Sequence, residues 1–232
     1  MLLLDSNYKI VFIFFYSAII YHLAHIMKAK SLEMPRHIAF SGNGSKVIRI
    51  LTSSDSTLEK FTKKIFEKIY GEKYPADGLT ILQNENNPKE VTCKGGLSNP
   101  TYQEYEDMAS MKMVYKAVQE DGAAFVDGDC YRLINEAYIQ KTVDEVKNFV
   151  NFVFDLNREL SFKNNFDSSE ASLEIAKSEC LRDLATFTKN GLEIKRQEVS
   201  DNDIIEETMF FYPLNGMLNA LISAIYKKNN KS

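Results

Sequence analysis

The stretch Arg36-His37-Ile38-Ala39-Phe40-Ser41-Gly42-Asn43-Gly44-Ser45-Lys46-Val47-Ile48-Arg49-Ile50-Leu51 constrains the fold more than any other part of the chain. Ile38, Ala39 and Phe40 form a short apolar run behind Pro35, which reads as a buried strand. Gly42 and Gly44 permit positive φ and close backbone approach to a ligand. Ser45 stands where it can cap a following helix whose apolar face is Val47, Ile48 and Leu51, with the free N–H groups of its first turn directed back into the loop. A strand running through a glycine turn into a helix is the local architecture of a nucleotide site. In an open α/β sheet such a turn lies at the carboxyl end of the strand and opens on a cleft.

Two phosphate-binding patterns are excluded by spacing. A Walker loop needs lysine directly after its second glycine and a hydroxyl after the lysine, whereas Gly44 is followed by Ser45 and then Lys46. The dinucleotide pattern needs a third glycine beyond Gly44, and the chain has Ser45, Lys46, Val47 and Ile48 there. Ser41-Gly42-Asn43-Gly44-Ser45 instead resembles the adenosine-binding turn of the actin, sugar-kinase and heat-shock-chaperone ATPase superfamily. In that superfamily a strand ends in a small-Gly-x-Gly-small loop that lies along the nucleoside. The resemblance implies that Ser41, Gly42, Asn43, Gly44, Ser45 and Lys46 face an adenine nucleotide, ATP or ADP.

A second segment extends the likeness. Gly78-Leu79-Thr80-Ile81-Leu82 is strand-like, and the following Asn86 to Leu97 contains Pro88 and the pair Gly95-Gly96. The superfamily follows its next strand with a proline-initiated helix ending in a Gly-Ala or Gly-Gly pair. Pro88 suits a helix first turn, where its missing N–H would be unpaired anyway, and Gly95 and Gly96 suit a close-packed helix end. Between the two strands, Ser56 to Tyr70 predicts an amphipathic helix with Leu58, Phe61, Ile65, Phe66 and Ile69 on one face.

The resemblance covers about residues 8 to 97 and implies the distal part of the second lobe of such an ATPase. The Asp-Gly-Thr-type hairpins that hold the β- and γ-phosphates and magnesium in that superfamily have no counterpart in this sequence. Lys46, Asp55 and Asp127 are therefore given no catalytic role, and the chain by itself is expected to supply at most half of an ATPase site. A complementary ATPase lobe or another protein partner is implied.

The expected fold class is thus α/β, a partial actin-like lobe (a short sheet with packed helices) over residues 1–100, followed by a mainly α-helical extension over 101–232. With 232 residues and 44% hydrophobic content the chain can bury a sizeable core. A formal net charge of -4 argues against a general nucleic-acid binder, which needs clustered Lys and Arg. Up to Pro100 there are 13 basic and 9 acidic residues, and after it 15 basic and 23 acidic, so the extension is the acidic part. Its predicted role is regulatory or partner-binding. Cys93, Cys130 and Cys180 are widely spaced and suggest neither zinc nor a disulfide framework, which fits a cytoplasmic protein. His22 and His25 stand at i, i+3 on a predicted helix, but no neighbouring carboxylate or cysteine completes a metal site.

Ile10 to Met27 carries no formal charge over eighteen residues. As a helix it would reach about 27 Å, just short of a hydrocarbon core. The run is interrupted by Tyr16, Ser17, Tyr21, His22 and His25, and Lys9 and Lys28 flank both ends without a charge bias. A helix packed on the strand at 37–41 is the expectation. The alternative is a membrane-anchored, non-enzymatic interaction protein in which the glycine turn is only a connector.

Beyond Pro100, Met111 to Val118 alternates like an edge strand and Ala123 to Val126 could pair with it, with Asp127-Gly128-Asp129 as a turn. From Thr142 a helix is predicted through Val143, Val146, Phe149, Val150, Val153, Leu156 and Leu160. A further helix opens at Ser168-Ser169-Glu170-Ala171 and should stop at Gly191. The last runs from Asp203 to Tyr226, with a bend or break at Pro213.

Overall fold

The computed structural model describes residues 6–42, 46–76, 78–83, 131–203 and 208–229. The chain divides into two compact units, one formed by Met1–Ala109 with Leu156–Ser169, the other by Ser110–Asp155 with Glu170–Ser232. The boundary expected at residue 100 lies outside the described residues, as do the segments 86–97, 111–118 and 123–129. Most described residues are helical, with one short parallel sheet.

In the first unit, α1 (Ser6–Ala29) is one continuous helix over the whole apolar run. It packs on α3 (Asp55–Tyr70) and on the single turn α2 (Ile48–Leu51). Ile10, Ile13, Phe14, Ala18 and Ile20 are fully buried, and each large side chain removed from water contributes roughly 1.5 to 3 kcal/mol. By length and composition α1 could cross a membrane, but 56% of its most apolar window is buried inside the protein.

The predicted amphipathic helix is α3, and its buried face is Leu58, Phe61, Thr62, Ile65, Phe66 and Ile69. The Ser54 hydroxyl accepts the Thr57 N–H at its start. Gly71, at φ +79°, closes its end by donating to the Glu67 carbonyl. Lys28, from the end of α1, donates to the Ile69 carbonyl at 2.5 Å and places a cation at the negative end of α3.

Strand β1 (His37–Phe40) pairs in parallel with β2 (Thr80–Gln83), His37 opposite Thr80 and Phe40 opposite Gln83. The two strands are joined through α2 and α3, which is how a parallel pair must be connected. Gly78, expected inside the strand, instead sits at φ +73° in a turn, and its N–H donates to the Pro75 carbonyl. Ile38 and Ile81 are buried partners on one face, while Ala39 and Leu82 are exposed on the other. The Ile81 N–H is taken by the Glu59 carboxylate of α3 at 3.1 Å, so the helix side chain satisfies a strand donor.

In the second unit, α4 (Glu136–Leu160) begins six residues before the predicted Thr142, because Asn135 caps it through the N–H groups of Ala137 and Tyr138. Its last turn belongs to the first unit and leads into the short helix α5 (Phe162–Phe166). The single helix expected to end at Gly191 is two: α6 (Glu170–Arg182) and α7 (Leu184–Arg196), broken at Asp183. Gly191 lies inside α7 and does not stop it. A Cβ there would come within 2.6 Å of the Tyr212 carbonyl oxygen, so this glycine serves the close packing of α7 on α8 (Tyr212–Asn229). Pro213 neither bends nor splits α8. It stands in the first turn, where no intrahelical N–H bond is needed. Tyr131, Ile134, Ile139, Leu192 and Met209 form a buried cluster of this unit.

Candidate functional site

The loop that follows β1 leaves the sheet at the carboxyl end of the strand. Ser41 is exposed, and Gly42 adopts φ +81°. A Cβ on Gly42 would meet nothing within 4 Å, so the backbone angle, and not lack of space, calls for glycine. Asn43, Gly44 and Ser45 lie outside the described residues. Lys46 is exposed, and with Val47 it forms a turn of 3-10 helix ahead of α2. Helix α2 has Val47, not Ser45, at its N-cap position and no side-chain cap, since the tighter turn at 46–47 moves its start along the chain.

Beside Ser41 and Phe40 opens a cavity of about 330 Å3. Val47, Ile48 and Leu51 form one wall, and Phe12, Phe15, Tyr16 and Ile19 of α1 form the other. Phe15, Ile19 and Val47 are exposed at 43%, 37% and 37%, which marks an apolar lining open to solvent. Among the described residues of the lining, Ser41 and Tyr16 bear hydroxyls. The Tyr16 hydroxyl is already engaged by Thr62 Oγ1 at 2.7 Å, and burial raises its phenol pKa well above the ordinary value. Its ring lies 6.0 Å from that of Phe40 and stacks on Phe61 at 6.1 Å. Ser41 is thus the side chain in the lining with a hydroxyl not taken up by a described contact. Among the described residues no charged side chain lines the cavity, and the neighbouring Arg49 is paired with Asp55 at 2.7 Å.

Such a lining suits a flat ligand held by its faces, with one hydroxyl and loop backbone at the rim. Among the described residues it offers no charged group to hold a phosphate or magnesium. The contribution of α1 was not legible as a site in the sequence. Its signal was there, however: Phe12, Phe15 and Ile19 extend an apolar surface that already covers the buried face.

His22 and His25 lie on α1, away from any third ligand: among the described residues no group of three His, Cys, Asp or Glu side chains could hold a metal. Burial lowers both imidazole pKa values to about 4, with a smaller contribution from His25 at His22 and from Lys28 at His25. Cys180 is fully buried, which pushes its thiol up to about 12 and leaves it protonated. Cys93, Cys130, Asp127 and Asp129 lie outside the described residues. Compared with known proteins, the chain shows no significant match to a family model, to a curated protein or to a solved structure.

Proposed function

We propose that Ser41–Lys46 and the adjoining apolar cavity form the nucleoside end of an adenine-nucleotide site, in an actin-like or chaperone-like ATPase half-site whose phosphate-holding groups come from a complementary lobe. The observation that carries this reading is the parallel pairing of β1 with β2 across α2 and α3, which sets Ser41 and the positive-φ Gly42 beside an open aromatic-lined cavity. Ligands of open α/β sheets bind at such carboxyl ends. A purine would stack on aromatic walls and take its polar contacts from Ser41 and loop backbone. Residues 101–232 would then serve as the helical regulatory or partner-binding region, in the cytoplasm.

The chain alone should not turn over ATP, because phosphoryl transfer depends on groups that hold magnesium and orient water at the γ-phosphate. Binding of ATP or ADP to the full chain should be weak, about millimolar to high micromolar, equivalent to roughly 4 to 6 kcal/mol. Titration calorimetry with MgADP tests the reading. Heats that saturate in this range and weaken in Phe40→Ala support it. No binding, combined with carbonate-resistant membrane association of the full chain, would favour the membrane-anchored alternative.

A further inference from the structure

Residues 156–169 belong to the first unit although the chain on both sides of them belongs to the second. Phe162 and Phe166 of α5 are 0% and 1% exposed. Both rings meet Phe61 of α3 edge to face, at 5.4 and 5.0 Å. Phe61 in turn stacks on Tyr16, and Tyr16 lies against Phe40; both of these last residues line the cavity beside Gly42. An unbroken row of aromatic contacts therefore joins α5 to the cavity wall.

Helix α5 is bracketed by two non-glycine residues in the left-handed region, Ser161 at φ +47° and Asp167 at φ +51°. Side chains in that region are sterically strained, so the segment keeps this path only while its packing holds it. The hydrogen bonds that hold it run within the segment and across to α1 of the same unit. The Asn157 carboxamide oxygen accepts the Phe162 N–H at 3.1 Å, Asn165 donates to the Leu160 carbonyl, and Ser169 donates to Asn7 of α1 at 3.0 Å. Packed in this way, the segment supports Phe61 and through it Tyr16.

We propose that residues 156–169 are a strap whose docking on Phe61 fixes the wall of the cavity beside Gly42. The coupling concerns the cavity itself, whatever ligand it takes, and so goes beyond the nucleotide reading. By linkage, an occupant that needs the fixed wall must in turn favour the docked strap.

Amide hydrogen exchange on the full chain tests this. Phe166→Ala should speed exchange at least tenfold in residues 157–169 and also in 38–41 and 46–51, while 22–29 and 66–70 of the same unit stay unchanged as a control for its global unfolding. Faster exchange confined to 157–169 overturns the proposal. Should Phe166→Ala fail to fold, the double substitution Ser161→Gly with Asp167→Gly removes the left-handed strain and should slow exchange both in the strap and in 46–51. Slowing in the strap alone again overturns the coupling. Saturating MgATP separates the two readings. Protection in 38–51 without any change in 157–169 keeps the nucleotide site and sinks the strap. Absence of MgATP protection everywhere, with the variant effects present, sinks the nucleotide site and keeps the strap.

Discussion

The Tyr16 hydroxyl meets Thr62 Oγ1 at 2.7 Å in the buried contact between α1 and α3, and Thr62 spends its own proton on the Leu58 carbonyl at 2.8 Å. With the Thr62 proton committed, the phenol is the donor of the pair. The bond holds the Tyr16 ring against α3, and Tyr16 is one of the residues that line the cavity.

The two halves of this bond are unequal. Thr62→Val leaves the buried Tyr16 hydroxyl without its acceptor and should cost about 1 to 3 kcal/mol, whereas Tyr16→Phe leaves Thr62 its Leu58 bond and should cost about 1 kcal/mol. Urea unfolding of both single variants and the double variant checks the order. A Thr62→Val cost no larger than that of Tyr16→Phe would contradict it.

At Gly42 the backbone angle sets the outcome. Gly42→Val places a β-branched side chain at φ +81° and should destabilise the loop by about 1 to 2 kcal/mol, although nothing nearby would clash. Gly42→Asn should cost less, because Asn enters the left-handed region more readily. Thermal melts rank the two, and equal losses would mean that the angle is not what selects glycine.

Gly191 and Gly216 make the reverse case, where space decides. Alanine is favoured over glycine inside a helix by about 1 kcal/mol, yet a Cβ at Gly191 would lie 2.6 Å from the Tyr212 backbone oxygen. At Gly216 it would lie 2.5 Å from the Phe187 ring. Gly191→Ala should therefore destabilise by about 1 to 3 kcal/mol, and Gly216→Ala by less, since a side chain yields more easily than backbone. Denaturant midpoints of the two variants provide the comparison.

Acid should weaken the first unit through His22 and His25. Their folded pKa values near 4 lie below the ordinary 6.5, so the unfolded chain binds more protons between those limits. Their contribution is complete above about pH 6.5 and is lost as pH falls toward 4. Glu145 works in the opposite sense: burial raises its carboxyl to about 7, so its penalty at neutral pH disappears on acidification. Replacing both histidines by glutamine should flatten the loss of stability between pH 6.5 and 4.5. Glu145→Gln should stabilise at pH 7.5 and have little effect at pH 4.5. Urea midpoints at these pH values decide both.

Local patterning determined much of this protein. The apolar spacing in 56–70 specifies α3 to within a residue of its start at Asp55, because a one-sided stripe acts within a few turns of chain, while the caps at Ser54 and Gly71 came from the structure. The apolar run behind Pro35 and the glycine at 42 likewise specify a strand leading into a turn that needs positive φ. Where a choice depended on partners distant in sequence, local reasoning failed. Gly191 reads locally as a helix stop because its close approach to Tyr212 has no local signature, and Pro213 reads as a kink although α8 begins at Tyr212 and holds it in the first turn. The aromatic spacing of α1 did not reveal that Phe12, Phe15 and Ile19 would face Val47 across a cavity. Nor did it reveal that Phe162 and Phe166 would return to Phe61 from a hundred residues downstream. Sequence fixes which faces must be buried. Only the tertiary structure decides against what, since burial is non-directional and any apolar surface of matching shape satisfies it.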